Sequence, residues 1–169
     1  MLFKSFSDNN FVVKRILIPV DFNVESLITL KKALDFLGDE QIHVVLLYAE
    51  HLPDSITELL FYSPGDRLNK LIPHAFNEAL TILKNRYEKQ LLSLSIELFH
   101  GNGLNAMKNF VSGYNIHQVF IPSDYTLKPL KGGFNPIAII KRLEVPVFKM
   151  EWIKMNVCID PHNLTHLFN

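Results

Sequence analysis

Three short stretches of this chain are apolar without a break: residues 16–18, 44–49 and 119–121. A strand with one wet face alternates polar and apolar side chains, whereas a strand covered on both faces does not. Runs of this kind predict central strands of a sheet that carries helices on each side. Segments of helical spacing separate them. Leu27, Leu30, Leu34 and Leu37 predict a helix over 24–37, with Asn23 placed to cap its start and Gly38 its end. Phe76, Leu80, Leu83 and Tyr87 form the inner stripe of a longer helix over 73–91, with Pro73 in its first turn. Leu104, Met107, Phe110 and Val111 mark a third helix, capped at Gly113, and Asn135-Pro136 starts a fourth that runs through Leu143.

Residues 94–98 alternate, with Leu94, Ile96 and Leu98 set against Ser95 and Glu97, as an edge strand does. Val145, Pro146, Val147 and Phe148 make a fifth strand, and its proline belongs on an edge. Strand and helix alternate throughout, and right-handed crossovers make such a chain a doubly wound parallel sheet. The expected fold is therefore α/β and Rossmann-like: five strands in the order 3-2-1-4-5, helices on both faces. Residues 1–150 form this domain, and 151–169 are expected to pack as a tail on the domain or at a dimer interface. Between 50 and 71 no single period holds. Pro53-Asp54 suit the start of a short helix through Phe61, and Ser63-Pro64-Gly65-Asp66 reads as a turn. A connection this long calls for helical turns or a functional flap.

Lysine plus arginine and aspartate plus glutamate number 17 each, so no bulk field favours nucleic acid or anionic lipid. The run at 11–20 is broken by Lys14, Arg15 and Pro19, which fits neither a secretion signal nor a membrane span. The single cysteine, Cys158, excludes an internal disulfide. These features predict a cytoplasmic protein with neither nucleic acid nor membrane as partner. No Gly-x-Ser-x-Gly elbow, P-loop or His-Glu-x-x-His occurs, and no enzyme is expected. Gly101-Asn102-Gly103-Leu104-Asn105-Ala106 fits a dinucleotide fingerprint in form, but it follows an edge-like strand, where a tight turn needs the glycines anyway. Cys158, Asp160, His162 and His166 cluster in the tail. His162 and His166 at i, i+4 suit a metal, yet without paired cysteines an amphipathic tail is the expectation.

Doubly wound sheets bind ligands at the carboxyl ends of the strands flanking the reversal of order. Here those ends are Pro19-Val20-Asp21 and Pro122-Ser123-Asp124, with Ala49 closing the second strand. Asp21 either accepts a hydrogen bond from a ligand's ribose or base, or caps the following helix and its loop.

The stretch Arg15-Ile16-Leu17-Ile18-Pro19-Val20-Asp21-Phe22 resembles the opening strand of universal stress proteins. Residues 45–49 look like their second strand, and His100-Gly101 like the glycine turn after their third. Gly133, then Ile139-Ile140-Lys141-Arg142 and Val145-Pro146-Val147, resembles their closing helix and strand. The likeness spans about 13–150. It implies a regulatory or binding module that dimerises through the fifth strand, with Val145, Val147, Phe148 and Met150 at the interface. It also implies adenine nucleotide as the candidate ligand, because nucleotide-binding members carry Gly-x-x-Gly, about nine residues, then Gly-Ser or Gly-Thr. This chain departs from that pattern. Pro122 stands near the first glycine, Tyr125 near the second, and Phe134 replaces the hydroxyl residue after Gly133. Proline also removes an amide donor. The triphosphate grip is expected to be absent, or rebuilt from Lys128, Lys131, Gly132 and Gly133, and no cofactor is assigned. Of the family's nucleotide residues, Asp21 and Gly133 match. A small ligand or a protein partner would then meet the crevice between strands one and four.

Overall fold

The computed structural model describes residues 13–151. Five strands form one parallel sheet: β1 (Lys14–Pro19), β2 (Ile42–Ala49), β3 (Leu91–Phe99), β4 (Gln118–Pro122) and β5 (Val147–Met150). Their order is β3-β2-β1-β4-β5, as the burial pattern of the sequence predicts. The helices are α1 (Leu27–Leu37), α2 (Ile56–Leu60), α3 (Pro64–Leu71), α4 (His74–Arg86), α5 (Leu104–Gly113) and α6 (Ile137–Ile140).

The continuous apolar runs split by parity between two cores. Ile16, Ile18, Val44, Leu46, Tyr48 and Phe120 face Leu27, Leu30 and Leu34 of α1 and Phe76, Leu80 and Leu83 of α4. Leu17, Val45, Leu47, Val119 and Ile121 face the other way, onto Met107 and Val111 of α5 and Ile140 of α6. Each central strand thus feeds both layers, which is why it shows no alternation in sequence.

Several boundaries differ from the sequence expectations. The segment before α1 opens as a 3-10 turn (Val24–Ser26), and the Asn23 side chain makes no cap bond there. Its backbone N–H instead donates to Asp21 Oδ1 at 2.9 Å. Ser63 is not part of a turn but the N-cap of α3: its Oγ accepts from the Asp66 N–H, and Pro64 takes the first position. The helix predicted over 73–91 ends at Arg86, and β3 already begins at Leu91. The Gln90 carbonyl there accepts the Ile42 N–H, and its side-chain amide donates to the Leu34 carbonyl, so sheet register claims residues that helical spacing had claimed. Gly113 lies inside α5, and Asn115 rather than glycine takes the left-handed turn after it, at φ 51°. The helix expected through Leu143 is regular only over α6. β5 starts at Val147, which leaves Val145 and Pro146 before the strand. Cys158, His162, His166 and the tail beyond Glu151 lie outside the described residues.

Candidate functional site

β1 and β4 are hydrogen-bonded neighbours, so their carboxyl ends meet at the reversal of the sheet. Asp21 stands two residues past the end of β1 and is 1 % exposed. A buried carboxylate needs partners, and three are supplied by the chain. Oδ1 accepts from Asn23 N–H. Oδ2 accepts from the Tyr125 hydroxyl at 2.6 Å and from the Lys128 N–H at 2.8 Å. Burial first, then the bond to Asp21, pushes the Tyr125 phenol far above its ordinary range, so it stays a donor. Phe22 follows in the left-handed region, at φ 65°. That position costs a bulky residue about 1 kcal/mol or more. It is held by a stack on Tyr48 (ring centroids 4.4 Å apart) and an edge contact with Phe76 (5.3 Å).

The loop after β4 folds back over the ends of β1 and β2. The Leu130 N–H donates to the Tyr48 hydroxyl, and Phe134 N–H to the Ala49 carbonyl. Gly133 N–H turns back to Leu130, and Gly132, at φ 92°, accepts from His51 N–H. A β-carbon on Gly133 would stand 2.5 Å from the Tyr48 hydroxyl and 2.8 Å from Pro129. Glycine is therefore required by the approach of this loop to the sheet. Four amides of this loop, those of residues 128, 130, 133 and 134, serve protein acceptors.

Beside this loop lies a second polar group that the sequence did not reveal. Glu50 follows Ala49 directly, is 2 % exposed, and pairs with Gly133 as an isolated antiparallel bridge. Arg67 of α3 grips its carboxylate from Nε (2.9 Å to Oε2) and Nη2 (2.8 Å). Tyr62 donates to Oε1 at 3.1 Å, and His100 Nε2 lies 3.3 Å from the same oxygen and 2.6 Å from the Tyr62 hydroxyl. Burial opposes the charged form, but the Arg67 bond and charge, helped by Tyr62 and His100, hold the Glu50 carboxyl below the ordinary range. Burial and the same carboxylate push the Tyr62 phenol up to about 12. The group ties segment 51–72 to the end of β2, so the connection expected as helical turns or a flap is a latched pair of short helices.

The residues singled out in the sequence fall into two sets. Pro19, Asp21, Ala49 and Gly133 come together inside the strand-end crevice, engaged with their own chain. Ser123, Asp124, Lys131 and Gly132 are exposed around it, with Ser123 Oγ donating to Asp124 at 2.9 Å. Tyr48, Glu50, Tyr62, Arg67 and His100 were missed. Each carries its polar atom across the fold, and the only sequence signal was an acid placed immediately after an apolar strand. Among the described residues no group of three metal-ligating side chains occurs, and no helix is long and apolar enough to cross a membrane. The fingerprint at Gly101 sits on the edge strand β3, away from the reversal.

The arrangement is that of an open, doubly wound α/β protein with its candidate site at the topological switch point. No protein-family model and no curated protein matches the sequence. Solved structures do match. The hypothetical protein PH0823 is 14 % identical, with 85 % of this chain and 99 % of that chain covered at a TM-score of 0.50. The hypothetical protein MJ0577 is 20 % identical, with 84 % and 98 % covered, also at 0.50. A universal stress protein family member from Burkholderia pseudomallei is 12 % identical over 81 % and 95 %, at 0.49. At such identities the likeness is one of fold alone, the doubly wound α/β sheet.

Proposed function

We propose that this chain is a cytoplasmic, non-catalytic regulatory module, homodimeric through β5, whose strand-end crevice is closed by its own side chains and does not grip a triphosphate. One observation carries the reading: the Asp21 carboxylate accepts from Asn23, Tyr125 and Lys128 at once. A ligand hydroxyl or base amine would have to displace the Tyr125 phenol from a buried site. The spent amides of the following loop support the same conclusion for phosphate. The single cysteine fits a reducing compartment.

Support for the dimer comes from the sheet edge. The carbonyls of Pro146 and Met150 accept from β4, so the peptide groups of Val147 and Lys149 point outward from an edge strand. Two such edges related by a two-fold axis satisfy each other.

Isothermal titration of the full chain with ATP, with and without magnesium, and with AMP is the test. Heats at the level of dilution are expected for each. Tight magnesium-dependent ATP binding overturns the reading. It would favour an adenine-nucleotide sensor with Asp21 toward ribose or base, and with Ser123, Lys131 and Gly133 toward phosphate. The exposure of Ser123, Lys131 and Gly132 at the crevice is what favours that second reading.

A further inference from the structure

Residues 51–72 are thinly packed on the domain. Helix α2 buries none of its five side chains, and α3 buries only Leu71, with Leu68 and Ile72 half-buried against the α1/α4 core. A segment with so few buried apolar contacts opens at little cost unless polar ties hold it. The ties converge where β2 ends. Arg67 and Tyr62 hold the Glu50 carboxylate, His51 N–H donates to the Gly132 carbonyl, and the His51 ring stacks on Phe134 with centroids 4.8 Å apart. The loop after β4 is fixed at the same place. The Glu50 backbone pairs with Gly133, Phe134 N–H donates to the Ala49 carbonyl, and a β-carbon on Gly132 would stand 3.9 Å from Arg67 Nη2. The first part of that loop is bound to the crevice, where the Tyr125 hydroxyl and the Lys128 N–H both donate to Asp21. Glu50 thus stands between segment and loop, its side chain engaged with one and its backbone with the other.

We propose that residues 51–72 are a strap across the strand ends, and that releasing its Arg67–Glu50 latch also loosens the loop that holds Asp21. The inference rests on the closed crevice of the function proposed above, and it supplies a regulated way for that crevice to open. The physical link is the buried charge. Glu50 is 2 % exposed, and a carboxylate so placed that loses its guanidinium must find water or other donors. Turning it toward water displaces residues 50 and 51, the two that carry the Gly133 bridge, the Gly132 bond and the Phe134 stack. Coupling between two sites is reciprocal, so loosening the loop at Asp21 loosens the strap in turn.

Hydrogen exchange of the full chain at neutral pH, read by mass spectrometry, is the test. Residues 51–72 and 125–134 are followed, with the amides of β1 and β2 as the measure of global folding. Arg67→Met is expected to speed exchange at least about 10-fold in both segments, the size of one lost bond to a charged group, and to leave the central strands unchanged. Tyr62→Phe removes one hydroxyl and shifts the same two segments less. It decides the matter if Arg67→Met loses protection throughout. Tyr125→Phe, at the other end of the network, is expected to speed exchange in 51–72 as well as in its own loop. Faster exchange confined to the mutated segment in each variant overturns the coupling, and unchanged exchange in both segments overturns the latch itself. Titration of the wild type with ATP separates this proposal from the one it rests on. Binding heats there sink the closed crevice, whereas a silent wild type whose two segments exchange independently sinks only the strap.

Discussion

Glu50 is the side chain on which most of the local order rests. One buried carboxylate holds Arg67 and Tyr62 from the flap and His100 from the end of β3, while its backbone pairs with Gly133. Removing a partner from a fully buried pair costs about 3–5 kcal/mol. Arg67 is 35 % exposed, so Glu50→Gln is expected to cost less, about 2 kcal/mol at neutral pH. The pH dependence has a definite sign. The folded carboxyl is held below its unfolded value, so its contribution is complete above about pH 4.3 and is lost as pH falls through the folded value. Urea unfolding at pH 7 and at pH 3–4 checks this: the gap between wild type and Glu50→Gln narrows on acidification. None of this was legible in the sequence. An acid after an apolar strand is visible, but Arg67 and His100 reach it only because α3 and the end of β3 are brought there by the fold.

At the scale of elements, most were legible, but α3 was read as a turn and several ends were misplaced. Helix α1 was readable from its leucines, and so was its stop. Gly38 sits at φ 59°, and its N–H donates to the Leu34 carbonyl. A β-carbon at Gly38 would meet nothing within 4 Å, so Gly38→Ala isolates the backbone cost of a positive φ. About 1 kcal/mol is expected, read as a drop of about 2–4 °C in the thermal midpoint. Helix α4 shows the opposite case. Its stripe continues in sequence to Tyr87, but the strand register of β3 against β2 ends it at Arg86. Ser63-Pro64 carries the same ambiguity: serine before proline suits a turn and a helix start alike, and the Asp66 amide decides.

The molecule as a whole is a sheet between two apolar layers, and its stability follows from both. Phe76 is fully buried in the α1/α4 layer, edge-on to Phe22, whose strained backbone it helps to hold. Phe76→Ala is expected to cost about 3–5 kcal/mol, measured by guanidinium unfolding. An equilibrium loss under 1 kcal/mol would mean that this layer is not packed as described. The sheet order was read correctly: β1, β2 and β4 are apolar on both faces and lie inside, β3 alternates and lies at the rim, and β5 was placed at the other rim by its proline. The switch point then followed from topology. What lies there did not: the Tyr125 hydroxyl donates to Asp21, and the Tyr48 hydroxyl accepts from the Leu130 amide.

The order of hydrophobic runs and helical stripes was enough to settle class, sheet order and the place where strand ends converge, since periodicity reports which faces a segment must hide. Whether that place is open or shut, and which polar atoms pay one another's desolvation there, belongs to the tertiary structure. Asp21 and Tyr125 are 104 residues apart, Glu50 and His100 are 50 apart, and pairs so distant in the chain leave no local pattern to read.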